Sequence, residues 1–194
     1  MTSRFYILWT LTALSLFLMA CQPSSAPRIV SSSNRPAGLN RPGEPLAPTP
    51  VSTVEVGNLG WKLSKGARQT LADYQGKVVV LDFWATYCPP CLEEIPHLVA
   101  LQEKHQREGL NIIGLNVGGD EDRPLVPDFV KKLKIQYDLG EPEQDLVETL
   151  FNGTDVIPQT FVFDRKGKLV RNFSGYDSDV RDEMDKAVQQ ALAN

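Results

Sequence analysis

The sequence predicts an α/β domain built on a central mixed sheet flanked by helices. Three observations carry that expectation. Residues 78–84 (VVVLDFW) and 111–117 (NIIGLNV) are apolar runs of strand length, the first broken only by Asp82. Such runs mark strands buried on both faces, as at the centre of an α/β sheet. Between them, Leu92, Ile95, Leu98, Val99 and Leu101 fall mostly on one side of a helix running to about Arg107, so the two strands are parallel across a crossover. Further on, 160–164 and 168–173 flank Arg165-Lys166-Gly167 and predict an antiparallel hairpin, which makes the sheet mixed.

In chain order, the first element is an address. Residues 1–20 hold one charge, Arg4, and then an apolar run from Phe5 to Ala20. A positive start, an apolar middle and small residues at the end predict a secretory signal peptide, and the run is short for a membrane span. It ends Leu18-Met19-Ala20-Cys21, which resembles a bacterial lipobox. That resemblance implies lipidation at Cys21 and a mature chain that starts there, held to the membrane by its acyl chains. Gln22 stands where such lipoproteins carry Asp for inner-membrane retention, which points to the outer membrane. Residues 21–51 read as a disordered tether. Seven of the chain's 14 prolines and five serines fall between 22 and 50, with no apolar period of 2 or 3.6. As a flexible coil it reaches roughly 30 Å.

Residues 52–194 form one domain. Val54–Val56 and Trp61–Ser64 predict edge strands. Residues 128–134 and 145–151 predict short helices. Asp177 to Leu192 closes the domain as an amphipathic helix, with Val180, Met184, Val188 and Leu192 at helical spacing. Gly118 to Asp122 reads as a solvated loop, since it lacks the ligand pattern of a calcium loop.

Composition excludes some classes. Three cysteines in 194 residues are too few for a disulfide-rich mini-protein. A formal net charge of -4 argues against a nucleic-acid partner.

The chemistry concentrates in WATYCPPCLEEIP (84–96). Cys88-Pro89-Pro90-Cys91 follows a buried strand and opens a helix. The helix start offers unpaired N–H groups and partial positive charge, both of which favour thiolate over thiol. A cysteine so placed has a pKa of about 3.5–7.5, against about 8.5 when free. Two prolines in the first turn cost little and stiffen the loop. Two residues between the sulfurs permit a tight reversible disulfide. A purely structural disulfide is one competing reading. A zinc half-site is the other; it would need two more ligands, and His97 and His105, taken as exposed on the helix surface, are poorly placed to supply them.

VVVLDFWATYCPPCLEEIP, followed some 60 residues later by VIPQTFVFDRKGKLV, resembles the thioredoxin superfamily, and within it the TlpA-like and ResA-like extracytoplasmic thiol-disulfide oxidoreductases. The resemblance spans essentially all of 52–194. It implies a thioredoxin-like fold, no cofactor beyond a redox-active Cys88–Cys91 disulfide, and no metal. It makes Cys88 the attacking nucleophile and Cys91 the resolving thiol. Pro158, after Ile157, would be a cis-proline that packs on the disulfide and offers Ile157's backbone to an extended substrate; the residues alone equally allow a trans turn. Trp84 and Tyr87, with Pro89 and Pro90, would shape the docking surface. Asp82, an acid inside an apolar strand, should be raised in pKa by burial and matches the family's buried proton carrier. Glu94 matches an acid that ResA-like proteins carry beside the site. The lysine that thioredoxin places on the next strand is missing; its position falls near Gly114.

The resemblance also implies protein disulfides as substrates and a membrane electron donor of the DsbD or CcdA type. A monomer in the bacterial cell envelope, facing the periplasm or exterior, completes the expectation. Two other functions on the same fold compete. A metallochaperone would use a wider cysteine spacing and a distant histidine. A peroxidase would use a lone peroxidatic cysteine with a threonine and an arginine.

Overall fold

The structure is a computed structural model and describes residues 57–194. The expected signal peptide, Cys21, the tether and the strand at Val54–Val56 lie outside the described residues. Among those described, no helix is long and apolar enough to cross a membrane.

Seven strands make one sheet: β1 (Gly60–Leu63), β2 (Arg68–Thr70), β3 (Val78–Trp84), β4 (Leu110–Asn116), β5 (Asp138–Pro142), β6 (Gln159–Phe163) and β7 (Leu169–Ser174). Their order is β2-β1-β5-β4-β3-β6-β7. β3, β4 and β5 run parallel, while β6 and β7 on one side and β1 and β2 on the other are antiparallel to their neighbours. The mixed α/β fold expected from the sequence is the fold observed. Among the described residues five α-helices complete it, besides three short 3-10 turns: α1 (Pro89–His105), α2 (Gly119–Asp122), α3 (Val126–Leu133), α4 (Gln144–Phe151) and α5 (Ser178–Ala193).

β3 is buried along its whole length, as its unbroken apolar sequence requires. Its alternating side chains feed two cores. Val78, Val80 and Trp84 join Ile95 and Leu98 of α1, Phe129 of α3 and Val180, Met184 and Val188 of α5. Val79, Leu81 and Phe83 join Trp61, Phe161, Phe163 and the α4 residues Leu146, Leu150 and Phe151. There Phe83 meets Phe151 and Phe161 edge-on, with ring centroids 5.0 and 5.7 Å away. The site follows from this layering. α1 lies on the first face, so the junction between β3 and α1 sits at the sheet's edge with core beneath it.

Three expectations need correction. Trp61 is not on an edge: β2 lies outside β1, and Trp61 is fully buried. β2 and β5 were not anticipated. β5 reads DLGEP, with no apolar run, and forms a strand because it has partners on both sides. Its Gly140 is required there, since a Cβ would lie 2.5 Å from the Lys62 carbonyl oxygen. The two histidines are not exposed. The His97 side chain is only 7% exposed, and its Nε2 lies 3.0 Å from Asp185 of α5. His105 is buried and meets Glu108 at 2.9 Å. α5 and the neighbouring turn cover the flank that the helix pattern alone leaves open.

Candidate active site at the β3–α1 junction

Cys88 is the N-cap of α1, in extended backbone conformation, and Pro89 and Pro90 occupy the first turn. Neither proline removes a hydrogen bond the helix would otherwise make. Cys88 and Cys91 are joined as a disulfide, S–S 2.10 Å with Cα atoms 5.4 Å apart. The Cys91 N–H donates to Cys88 Sγ at 3.3 Å. That donor, with the positive end of the helix, stabilises negative charge on this sulfur. Cys91, one turn in, is fully buried.

The surroundings divide into a lip and a floor. On the lip, Tyr87 is 67% exposed, and Val156, 52% exposed, precedes the half-buried Ile157. Ile157 packs against the core cluster that contains both cysteines. The Ile157–Pro158 bond is cis, and the Pro158 carbonyl accepts the Gly175 N–H at 2.8 Å. Trp84 is not on the lip: it is buried and stacked on Phe129 at 4.9 Å. It shapes the site from below.

The loop leading to Cys88 is clamped by Asp122. This carboxylate accepts from the Thr86 hydroxyl, the Thr86 N–H and the Asn116 side-chain amide. Burial works against its ionisation, but these hydrogen bonds outweigh it and hold the carboxyl below the usual range. The segment from Gly118 to Asp122 is therefore no solvated loop: it holds the short helix α2 and buries Asp122. Its acidic run hid the one acid that turns inward.

On the floor are two more carboxylates, and both are fully buried. Asp82 stands opposite Gly114 of β4 and Thr160 of β6. Glu94 of α1 accepts a hydrogen bond from the Thr160 hydroxyl. Burial pushes Asp82 well above the ordinary aspartate range, and the nearby Glu94 pushes it further. Burial raises Glu94 to about 8, against the opposing pull of Thr160. Two adjacent acids in a dry site cannot both ionise near neutral pH. The pair thus holds protons near neutral pH in an interior where Cys91 is also buried. Thr160 had not been singled out from the sequence; nothing in a buried strand residue announces that it will meet a helix acid 66 positions away.

Among the described residues no three histidine, cysteine, aspartate or glutamate side chains converge as a metal site.

Comparison with known proteins agrees with this geometry. The model of the AhpC/TSA family matches residues 54–172. The thiol-disulfide oxidoreductase ResA of Geobacillus thermodenitrificans is 33% identical over 111 residues, which are 57% of this chain and 62% of that protein. ResA of Bacillus subtilis is 31% identical over 114 residues, 58% of this chain and 61% of the relative. The chain thus spans somewhat less than two thirds of the length of these curated relatives. A thiol:disulfide interchange protein of the thioredoxin family from Chlorobium tepidum has a crystal structure that superposes with a TM-score of 0.58 at 25% identity, covering 80% of this chain and 99% of that one.

Proposed function

Because the chain belongs to the AhpC/TSA family, whose match covers the strands, the helix and the cysteine pair just described, we propose that it is a thiol-disulfide oxidoreductase acting on protein disulfides. The observation that carries this reading is the Cys88–Cys91 disulfide at the head of α1, its outer sulfur at the N-cap and its inner one buried. A structural cross-link would need neither the helix terminus nor the buried acids. A peroxidatic site would keep its cysteine free of a partner three residues away.

The reaction balances as two exchanges. Cys88 thiolate attacks one sulfur of a substrate disulfide, and the other sulfur leaves as thiolate. Cys91 gives its proton to a carboxylate of the Asp82–Glu94 pair, drawn from the small fraction ionised at neutral pH because burial raises both acids, and attacks Cys88 Sγ. The Cys88–substrate bond breaks, the second substrate thiolate leaves, and the domain is left oxidised by two electrons. Cys88 and Cys91 exchange sulfur; Asp82 and Glu94 carry the proton. Tyr87, Pro89, Val156 and Ile157 offer an apolar lip to an extended polypeptide, with the Ile157 backbone as its hydrogen-bonding partner. Trp84, Pro90 and Pro158 hold the pair in place. No cofactor beyond the disulfide enters.

In this reading the domain works outside the cytoplasm as a monomer, tethered by lipid on Cys21 in the cell envelope. A membrane thiol donor of the DsbD or CcdA type reduces it again. The test is a redox titration of the full chain in thiol–disulfide buffers, with thiols counted by alkylation and mass. The reading predicts one reversible two-electron transition. A pair that stays oxidised in excess dithiothreitol under native conditions would leave a structural disulfide as the answer.

A further inference from the structure

Five buried side-chain atoms of the floor have no hydrogen-bond partner among the described residues: both carboxylate oxygens of Asp82, Oε2 of Glu94, the Trp84 indole nitrogen and the Tyr137 hydroxyl. Unpaired polar groups are rare in a folded interior, and each costs about 1–3 kcal/mol. These five are complementary in kind. The carboxylate oxygens accept, while the indole N–H and the phenol O–H can donate.

Strand register brings them together. Asp82 lies opposite Gly114, the neighbourhood where thioredoxin's lysine would stand. A side chain there would displace its neighbours: a Cβ would lie 3.0 Å from Trp84 Nε1, 3.0 Å from Tyr137 Cε2 and 2.6 Å from Leu139 Cδ2. The two aromatic groups therefore pack against Gly114, the residue opposite Asp82, and in this disulfide-bonded form neither donates to Asp82 or Glu94. Tyr137 is buried and senses both acids: burial raises its hydroxyl well above the ordinary range, and the charges of Asp82 and Glu94 raise it further.

We propose that Tyr137, together with the Trp84 N–H, is the positioning residue that hydrogen-bonds the ionised form of the Asp82–Glu94 pair beside Gly114. This rests on the proton-carrying role given to the pair above. A neutral donor suits it. It favours the ionised acid without fixing a permanent charge in the core, so the pair can take and release the Cys91 proton near neutral pH.

The other groups around the pair fit. From α1 come Glu94 and Cys91, and from β6 Thr160, which bonds Glu94. From the loop before α5 comes Tyr176, which senses Glu94 first among charges, then Arg181, Asp185 and Glu93. His97 and His105 are engaged by Asp185 and Glu108. No lysine or arginine among the described residues offsets the charge of either acid.

The test uses the reduced full chain mixed with one equivalent of 5,5′-dithiobis(2-nitrobenzoate). The first thiolate released reports attack by Cys88; the second reports resolution by Cys91. The second phase should show a pH inflection that Asp82→Asn or Glu94→Gln abolishes. Tyr137→Phe should move that inflection up by about one pH unit, since a donor to a charged group is lost. It should slow the second phase about ten-fold at neutral pH and leave the first unchanged. Gly114→Ala, which pushes both aromatic groups away, should move the inflection the same way. An inflection that Tyr137→Phe and Gly114→Ala leave in place, while the carboxylate variants abolish it, overturns the proposal and spares the reading it rests on. An inflection untouched by the carboxylate variants overturns both.

Discussion

Cys88→Ser is expected to reduce insulin-disulfide reduction, followed by turbidity at fixed dithiothreitol, to the uncatalysed rate. The loss should be on the order of a thousand-fold or more, as when a nucleophile is removed from an interdependent catalytic group. Cys91 cannot take over. It is fully buried one turn inside the helix, whereas Cys88, itself buried but still 4% exposed, sits at the N-cap. Its N–H also points at Cys88 Sγ, so the helix terminus favours charge on the outer sulfur alone. Serine keeps the size and the cap, so the fold should survive. Cys91→Ser should behave differently: the first exchange persists and turnover stops. Equal residual turnover in both variants would mean that the sulfurs do not have separate roles.

Glu94→Gln is expected to stabilise the oxidised protein at neutral pH while slowing its chemistry. Unfolded, the glutamate ionises near its ordinary value of 4.5; folded, it keeps its proton to about 8. Between those values the native state binds the extra proton, so stability falls as pH rises through this window and levels off above it. At pH 7 the loss from this one group is about 3 kcal/mol. A neutral glutamine can still accept from Thr160 and removes most of that loss. Urea denaturation at pH 5 and pH 7.5 measures it: the wild type should be markedly weaker at the higher pH, and the variant much less so. Asp82→Asn should act in the same direction, since burial raises that acid too. A wild type whose stability does not decline over this range would remove the buried acids from the account.

The sequence disclosed the cysteine pair and the sheet centre because both are written locally. VVVLDFW reads as a buried strand, and CPPC, three residues after it, opens a helix. Asp82 was visible as an acid where no acid should be. What stayed hidden depends on partners distant in the chain. DLGEP becomes β5 only because β1 and β4 lie on either side of it. His97 and His105 look exposed until α5 and Glu108 are placed against them. Asp122 is one acid in an acidic run until Thr86 and Asn116 turn toward it. Tyr137, 55 positions from Asp82, had no local mark at all. Gly114 was the nearest clue: near the position where thioredoxin carries a lysine, this chain has a glycine.

The most direct measurement is capture of the half-way state. Full-length Cys91→Ser protein, reduced and mixed with a peptide disulfide, should accumulate a one-to-one mixed disulfide. Tandem mass spectrometry should place the linkage on Cys88. The adduct should resist resolution and yield to dithiothreitol. No adduct, or one joined through Cys21 with Cys88 left free, would contradict the account at its root.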